Sequence, residues 1–366
     1  MEKEFQAGSY FHERTGVKEN LYCVCYVPIS IEKWFTKIKV SSEMNAILLQ
    51  LYRKIGKLEG ILTLMDLQEQ ESVNNLIDRQ NMMCCIENEN HIINPADYFD
   101  RMHEEYIQTE KEELGFFSEL NHLRQAKRKK FIILNNTISI LRREFNPTAP
   151  DRIGDCMSDL YGVVAEYKSD LKKQNEPLNP ILFGGLLCYQ LLTVSPYEKN
   201  NYLYSTYAVV KNMQEIKIFP EISIAFANFL YNNRNECEDR MTEVRQAGNI
   251  NQWLLFYLSI LDRAIEAENL FIVEQHSCMM KSLEKIEKAK NISSNMRNQM
   301  FQGMNRMHQM PVFRIEDVMK DFGITHSTAT KMINVFEKIG IVRQMNDKQR
   351  YRIYEYLPLI ECIKRL

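Results

Sequence analysis

Glycine (13) and proline (10) are scarce in this chain of 366 residues, together roughly half of average usage. That shortage excludes a β-rich fold built on tight turns, and it excludes Pro/Gly-rich disorder. Charge of one sign is also missing, because Lys plus Arg (46) nearly balance Asp plus Glu (48) for a net of −2. The whole chain is no polyelectrolyte, so a nucleic-acid contact needs a local basic patch. Long hydrophobic runs are absent. The longest, Pro180 to Val194, contains Gln190 and is too short for a membrane span, so it predicts a buried helix. The opening MEKEFQAGSYFHERTG is charged and lacks the apolar centre of a signal peptide. Nine cysteines, an odd number, are scattered along the chain, which argues against a disulfide scaffold. Cys23-x-Cys25 and Cys84-Cys85 have no CxxC partner and no His cluster at finger-like spacing, so no metal site is expected. These readings predict a cytoplasmic protein with no membrane partner.

What is present reads as helix. Apolar residues make up 45% and charged residues 26%, enough for a sizeable core, and the length predicts two or three domains at about 150 residues each. The fold class expected is mainly all-α. Residues 1 to about 40 read as an extended lead-in. VSSEM (Val40 to Met44) then signals a helix start, with Ile47, Leu48, Leu51, Ile55 and Leu58 at helical spacing. A second helix is predicted over roughly 70–90, another after Asn94-Pro95, and a charged periodic stretch over 105–143. FNPTAPDRI (Phe145 to Ile153) is the clearest break, with Asp151 as a candidate N-cap. Helical patterns follow over 152–172, 180–194, 202–214, 221–231, 234–246, 250–268 and 270–305, with no internal repeat.

The character changes at Met310-Pro311. A helix (Ile315 to Phe322), a Gly323 turn and a helix opening at Thr325 precede Gly340. Two strand-like runs then follow, Ile341 to Met345 and Arg350 to Tyr356, around Asn346-Asp347-Lys348-Gln349. Helix-turn-helix followed by a hairpin is the pattern of a winged helix. Residues 311–366 carry ten Lys/Arg against seven Asp/Glu, a local net of +3. Ser327, Thr328, Thr330 and Lys331 stand near the start of the second helix, where helix-turn-helix proteins enter the major groove. Lys348, Arg350 and Arg352 lie on the wing, where phosphate contacts are expected. The same pattern also suits a module in which Ile324, Ala329, Ile333, Phe336 and Ile341 pack a small core that contacts protein. DNA, a partner protein and a second copy of this chain are the partners left open. The run Lys127-Arg128-Lys129-Lys130, with Arg124, Arg142 and Arg143, reads as a solvated helix face, and the nineteen methionines as core filling.

No intact phosphate loop, dinucleotide fingerprint, GxSxG elbow or HExxH motif occurs. The order from Pro177 to Ala264 is PLNPILFGGLLCYQLLTVSPYEKNNYLYSTYAVV, then FPEISIAFANFL, then NNRNECEDRMTEVRQAGNINQWLLFYLSILDRA. It resembles the Fic family of helical AMP-transferases, with Arg234, Val244, Arg245, Gly248, Trp253, Tyr257 and Leu258 at matching spacing. IGKLEGIL (Ile55 to Leu62) and the terminal winged helix look like a common Fic architecture, so the resemblance covers nearly the whole chain. It implies a domain order of an N-terminal helical region over 1–105, a Fic-like core over 106–306 and a winged helix over 311–366.

The departure lies at the chemistry. The family loop, H-P-F-x-D/E-G-N-G-R-x-x-R, falls in register on Ser195, Pro196, Tyr197, Glu198, Lys199, Asn200, Asn201, Tyr202 and Leu203, with Thr206 at the last arginine. In the family the His is the general base for a target hydroxyl, which serine cannot be. The acidic residue holds Mg²⁺, which Lys199 would repel. Two glycines let backbone N–H groups cradle the nucleotide phosphates, where Tyr202 would crowd the cradle. Leu203 and Thr206 replace both phosphate-binding arginines. A Tyr-Tyr pair lining the nucleotide pocket falls on Cys237-Glu238, and the stretch from Ile140 to Asp151 is too short for the PG-x-Y/F-R segment and target-docking flap. The inhibitory motif Ser/Thr-x-x-x-Glu-Gly/Asn survives only as Met83-Cys84-Cys85-Ile86-Glu87-Asn88. None of the histidines (12, 91, 103, 122, 276, 308 and 326) is followed by Pro-aromatic, so there is no second copy of the loop. The resemblance therefore implies a degenerate family member that binds or regulates, needing no cofactor. The alternative is an adenylyltransferase with a rearranged loop, using ATP and Mg²⁺.

Overall fold

A computed structural model describes residues 5–14, 22–82, 148–173, 178–196 and 201–365. The elements in order are β1 (Gly8–Arg14), β2 (Tyr22–Pro28), α1 (Glu32–Phe35), α2 (Ser42–Leu62), α3 (Leu67–Met82), α4 (Pro150–Lys172), α5 (Pro180–Val194) and α6 (Asn201–Glu215). Then come α7 (Phe226–Asn232), α8 (Arg234–Ala247), α9 (Ile250–Lys288), α10 (Ser294–Gln309), β3 (Val312–Arg314), α11 (Ile315–Phe322), α12 (His326–Lys338), β4 (Val342–Gln344), β5 (Ile353–Tyr356) and α13 (Leu357–Ile363). The fold is mainly helical, as the scarcity of glycine and proline predicts. No helix among the described residues is long and apolar enough to cross a membrane.

The chain gathers into two compact units, one of residues 1–59 and 122–265, the other of 60–121 and 266–366.

In the first unit the organising element is α5. Asn179 caps it, its side chain accepting from Ile181 N at 3.0 Å and Leu182 N at 3.4 Å, and Pro180 occupies the first turn, where no N–H is needed. Every residue from Ile181 to Val194 is buried, so α5 has no polar face, as expected of a helix covered on all sides. Gly184 and Gly185 allow α9 to come close. A Cβ on Gly185 would sit 2.7 Å from Leu254 Cδ2 and 2.8 Å from Tyr257 Cδ1. The Trp253 indole donates its Nε1–H to the Gly185 carbonyl at 2.8 Å. Around α5, Tyr167 stacks on Phe183 with ring centroids 3.7 Å apart, and Gln190 donates to the Ile29 carbonyl at 3.1 Å. The lead-in expected over 1–40 contains an antiparallel hairpin, with Gly8 opposite Pro28 and Arg14 opposite Tyr22.

In the second unit β3, β5 and β4 form an antiparallel sheet in that order. The helix–turn–helix order expected here is present. Asp317 accepts from Arg314 N at 2.6 Å to start α11, Gly323 ends it at φ 59°, and Thr325 caps α12 by accepting from Thr328 N. One expected boundary moves. The patterns at 250–268 and 270–305 are not two helices divided near 269, because α9 runs unbroken to Lys288 with Phe271 and Ile272 continuing its buried face. The interruption comes at Asn291, whose φ is 63°, and at Ser293, which caps α10 by accepting from Met296 N at 3.2 Å.

Candidate functional site

Helix α5 ends where the loop of interest begins. Ser195 adopts a left-handed conformation (φ 47°, ψ 62°), its N–H bonds back to the Leu191 carbonyl, and its hydroxyl donates to the Leu192 carbonyl at 2.6 Å. The hydroxyl at the position of a general base therefore faces its own helix. Pro196 is half-buried beside it. Tyr197, Glu198, Lys199 and Asn200 lie outside the described residues, as do Glu87 and Asn88, the Cys84-Cys85 pair and the basic run at 127–130.

Asn201 opens α6, which carries the remaining loop positions. Leu203 is buried. Thr206 is 1% exposed, and its hydroxyl donates to the carbonyls of Tyr202 at 2.8 Å and Leu203 at 3.0 Å. The Tyr202 phenol reaches α8, donating to the Cys237 sulfur beside Glu238. Burial first, then the Cys237 and Glu238 charges, hold it well above the usual tyrosine range. Its ring meets Tyr231 edge-on at 5.7 Å, and the Arg234 guanidinium lies over the other ring of that pair, 4.9 Å from the Tyr231 centroid. Burial likewise pushes the Cys237 thiol up. Arg234, Tyr231, Tyr202 and Cys237 thus form one row joining α6, α7 and α8.

Arg245 and Trp253, the other residues matched by spacing, belong to the packing around α5. The Arg245 guanidinium is buried 4.4 Å over the Tyr26 ring and beside Tyr189, and burial pulls its pKa down. Trp253 meets Tyr189 at 5.7 Å and Phe256 at 5.7 Å. Gly248 ends α8 at φ 66°, its N–H bonding to the Val244 carbonyl at 2.9 Å. Tyr26 and Tyr189 are not legible as partners of Arg245 and Trp253 in the sequence, nor Tyr231 as a partner of Tyr202, since each of these contacts joins segments distant along the chain.

Neither described arginine position of the loop carries a guanidinium, the base position carries a hydroxyl turned to backbone, and Tyr202 already packs against Cys237 and Glu238.

The C-terminal elements present a second candidate surface. Ser327 and Lys331 are exposed on α12, while Thr330 donates to the His326 carbonyl at 2.8 Å and Thr328 shares a contact with Thr325 at 3.0 Å. The turn between β4 and β5 is organised from within. Asn346 Nδ2 donates to the Tyr351 carbonyl at 3.1 Å, Asn346 Oδ1 accepts from Ile353 N at 3.3 Å, and Gln344 donates to the Lys348 carbonyl at 2.9 Å. This frame presents Lys348 and Arg350 to solvent, while half-buried Arg352 donates to the Gln349 carbonyl at 3.2 Å. Between the two arginines stands Tyr351, 79% exposed at φ 56°. Positive φ is a genuine outlier for so bulky a residue, and no spacing rule singles it out.

No family model matches the chain. No curated protein matches it either. Among solved structures it is similar to the crystal structure of a Fic family protein from Desulfovibrio desulfuricans G20, at 12% identity and a TM-score of 0.38, over 87% of this chain and 97% of that one.

Proposed function

We propose that this chain is a degenerate Fic-type protein that transfers no AMP and acts as a regulatory binding protein, through a C-terminal winged helix that contacts DNA. One observation carries the first half of this reading. The two hydroxyls at the positions of the general base and the second arginine, Ser195 and Thr206, both donate to carbonyls of their own helices. The proton of neither hydroxyl is free for a substrate. General base catalysis contributes about 10²–10⁴-fold, and electrostatic stabilisation of a transferring phosphoryl group contributes more. Losing both slows the reaction by the product of the two factors. The second half is supported by the framed turn that displays Lys348 and Arg350 beside the exposed start of α12, on a segment with a local net charge of +3.

The direct test incubates the purified protein, alone and with cell lysate, with ATP labelled in the AMP moiety, in Mg²⁺ and in Mn²⁺. No label should reach protein. Transfer by the wild type that disappears in Glu198→Ala would overturn the reading in favour of an adenylyltransferase with a rearranged loop.

A further inference from the structure

Two thiols meet between α9 and the C-terminal helix α13. Cys278 and Cys362 are 84 residues apart in sequence, and their sulfurs lie 3.4 Å apart. Cys278 is half-buried and Cys362 is buried. Polar contacts pin both sides of the pair. The Tyr356 hydroxyl donates to the Cys278 carbonyl at 3.4 Å and shares a 3.0 Å contact with the Ser282 hydroxyl, and Arg365 pairs with Glu274 at 3.0 Å. A cystine needs sulfurs about 2.05 Å apart. Closing from 3.4 Å leaves about 1.4 Å to share between two side chains, a displacement of the size that χ1 rotation supplies. A structural zinc site needs four donors, and among the described residues no three His, Cys, Asp or Glu side chains gather to hold a metal. Dithiol chemistry is what the geometry leaves.

We propose that Cys278 and Cys362 form a modification site, oxidised reversibly to an intramolecular cystine by small-molecule disulfides. The two thiols have different parts. Cys278 is the accessible one and attacks first: its thiolate bonds to one sulfur of the oxidant, whose S–S bond breaks and releases one thiolate. Cys362 then loses its proton and attacks the Cys278 sulfur of the mixed disulfide, expelling the second thiolate. The protein gives up two protons and two electrons, and the oxidant becomes two thiols. Burial and the adjacent Cys278 push the Cys362 thiol up to about 12, which leaves the first attack to Cys278; Cys362 resolves because its sulfur already lies 3.4 Å from that of Cys278. The cystine closes a loop containing α10, β3, α11, α12, β4 and β5. Cross-links over loops of that length restrict the unfolded chain most, so oxidation clamps the segment that carries the winged helix.

The test treats the full chain with excess oxidised glutathione, alkylates the remaining thiols, digests the protein and maps the peptides by mass spectrometry. The wild type is expected to yield a Cys278–Cys362 cross-linked peptide, and its Tm to rise and return on reduction. Cys362→Ser is expected to stop at a glutathione adduct on Cys278, and Cys278→Ser to leave Cys362 unmodified. A wild type that accumulates the Cys278 adduct without cross-linking, or that leaves both cysteines free to alkylation, overturns the proposal.

Discussion

The Thr206 hydroxyl donates to the Tyr202 carbonyl, four residues back in its own helix, at 2.8 Å, and the side chain is enclosed by its surroundings at 1% exposure. In the Fic pattern this position carries an arginine directed at phosphate. An arginine here would force a guanidinium into that enclosed space, out of reach of water. Thr206→Arg is therefore expected to cost about 3 kcal/mol or more, seen as a large fall in Tm, and to bring no stabilisation by ATP with Mg²⁺. A variant that keeps the wild-type Tm and gains a nucleotide-dependent increase would show that the enclosed packing around α6 is wrong.

Gly185 tests how closely α9 approaches α5. Its missing Cβ would stand 2.7 Å from Leu254 Cδ2 and 2.8 Å from Tyr257 Cδ1, and its carbonyl accepts the Trp253 indole. Alanine has the better intrinsic helix propensity, by about 1 kcal/mol, but overpacking costs about 1–3 kcal/mol. The steric term should win. Gly185→Ala is expected to lower the urea midpoint with no change in m-value, whereas Gly60→Ala, which meets nothing within 4 Å in its helix, should raise it slightly.

His308 gives the second unit a pH dependence with a definite sign. Burial first, then the His276 charge, hold its pKa down at about 4 against an ordinary 6.5. The neutral ring is buried 5.3 Å from Tyr356. The unfolded chain then binds the proton more readily, so this contribution is complete above pH 6.5 and is lost as pH falls from 6.5 through 4. Each tenfold difference in proton affinity between the folded and unfolded chain is about 1.4 kcal/mol, so the contribution is worth about 3 kcal/mol. The Tm should fall between pH 6.5 and 4, and His308→Gln should flatten that part of the profile. An unchanged slope in the variant would place the titrating group elsewhere.

How far the fold can be read from the sequence depends on whether the signal is local. Asn179-Pro180 before an unbroken apolar run, Gly323 ahead of Thr325, and Gly340 after α12 each specify backbone geometry within a few residues, and each stands where the pattern puts it. The hairpin is different. Cys25 pairs with Phe11 across the turn, and a strand read alone does not name its partner. The long helix α9 reads as divided near 269 because Glu268 and Asn269 look like solvent residues, yet both are buried, and the true stop needs the left-handed Asn291. At the candidate site Ser195, Leu203 and Thr206 are visible in the sequence as departures from the Fic loop pattern. That Tyr202 turns toward Cys237 on another helix is not, since no periodicity records a contact between residues on separate helices.

The last prediction concerns the surface formed by α12 and the β4–β5 turn. A phosphate contact releases counterions, so each one adds about one unit to the slope of log K against log salt. Lys331 and Arg350 are exposed, and among the described residues neither forms an ion pair. Arg343 is different, since it pairs with buried Glu355 at 2.7 Å. Lys331→Ala and Arg350→Ala should each weaken binding to duplex DNA uniformly across sequences and lower the salt slope by about one unit. Lys217→Ala, at an exposed position in the first unit that pairs with Glu221, should change neither. Tyr351, held at φ 56° between the two arginines, carries no charge, so Tyr351→Asn should weaken binding with the slope intact. Anisotropy titrations of a labelled duplex over a range of salt concentrations separate the two effects. If the wild type shows no salt-dependent binding even at low ionic strength, the module contacts protein, and the basic residues of its wing are simply hydrated.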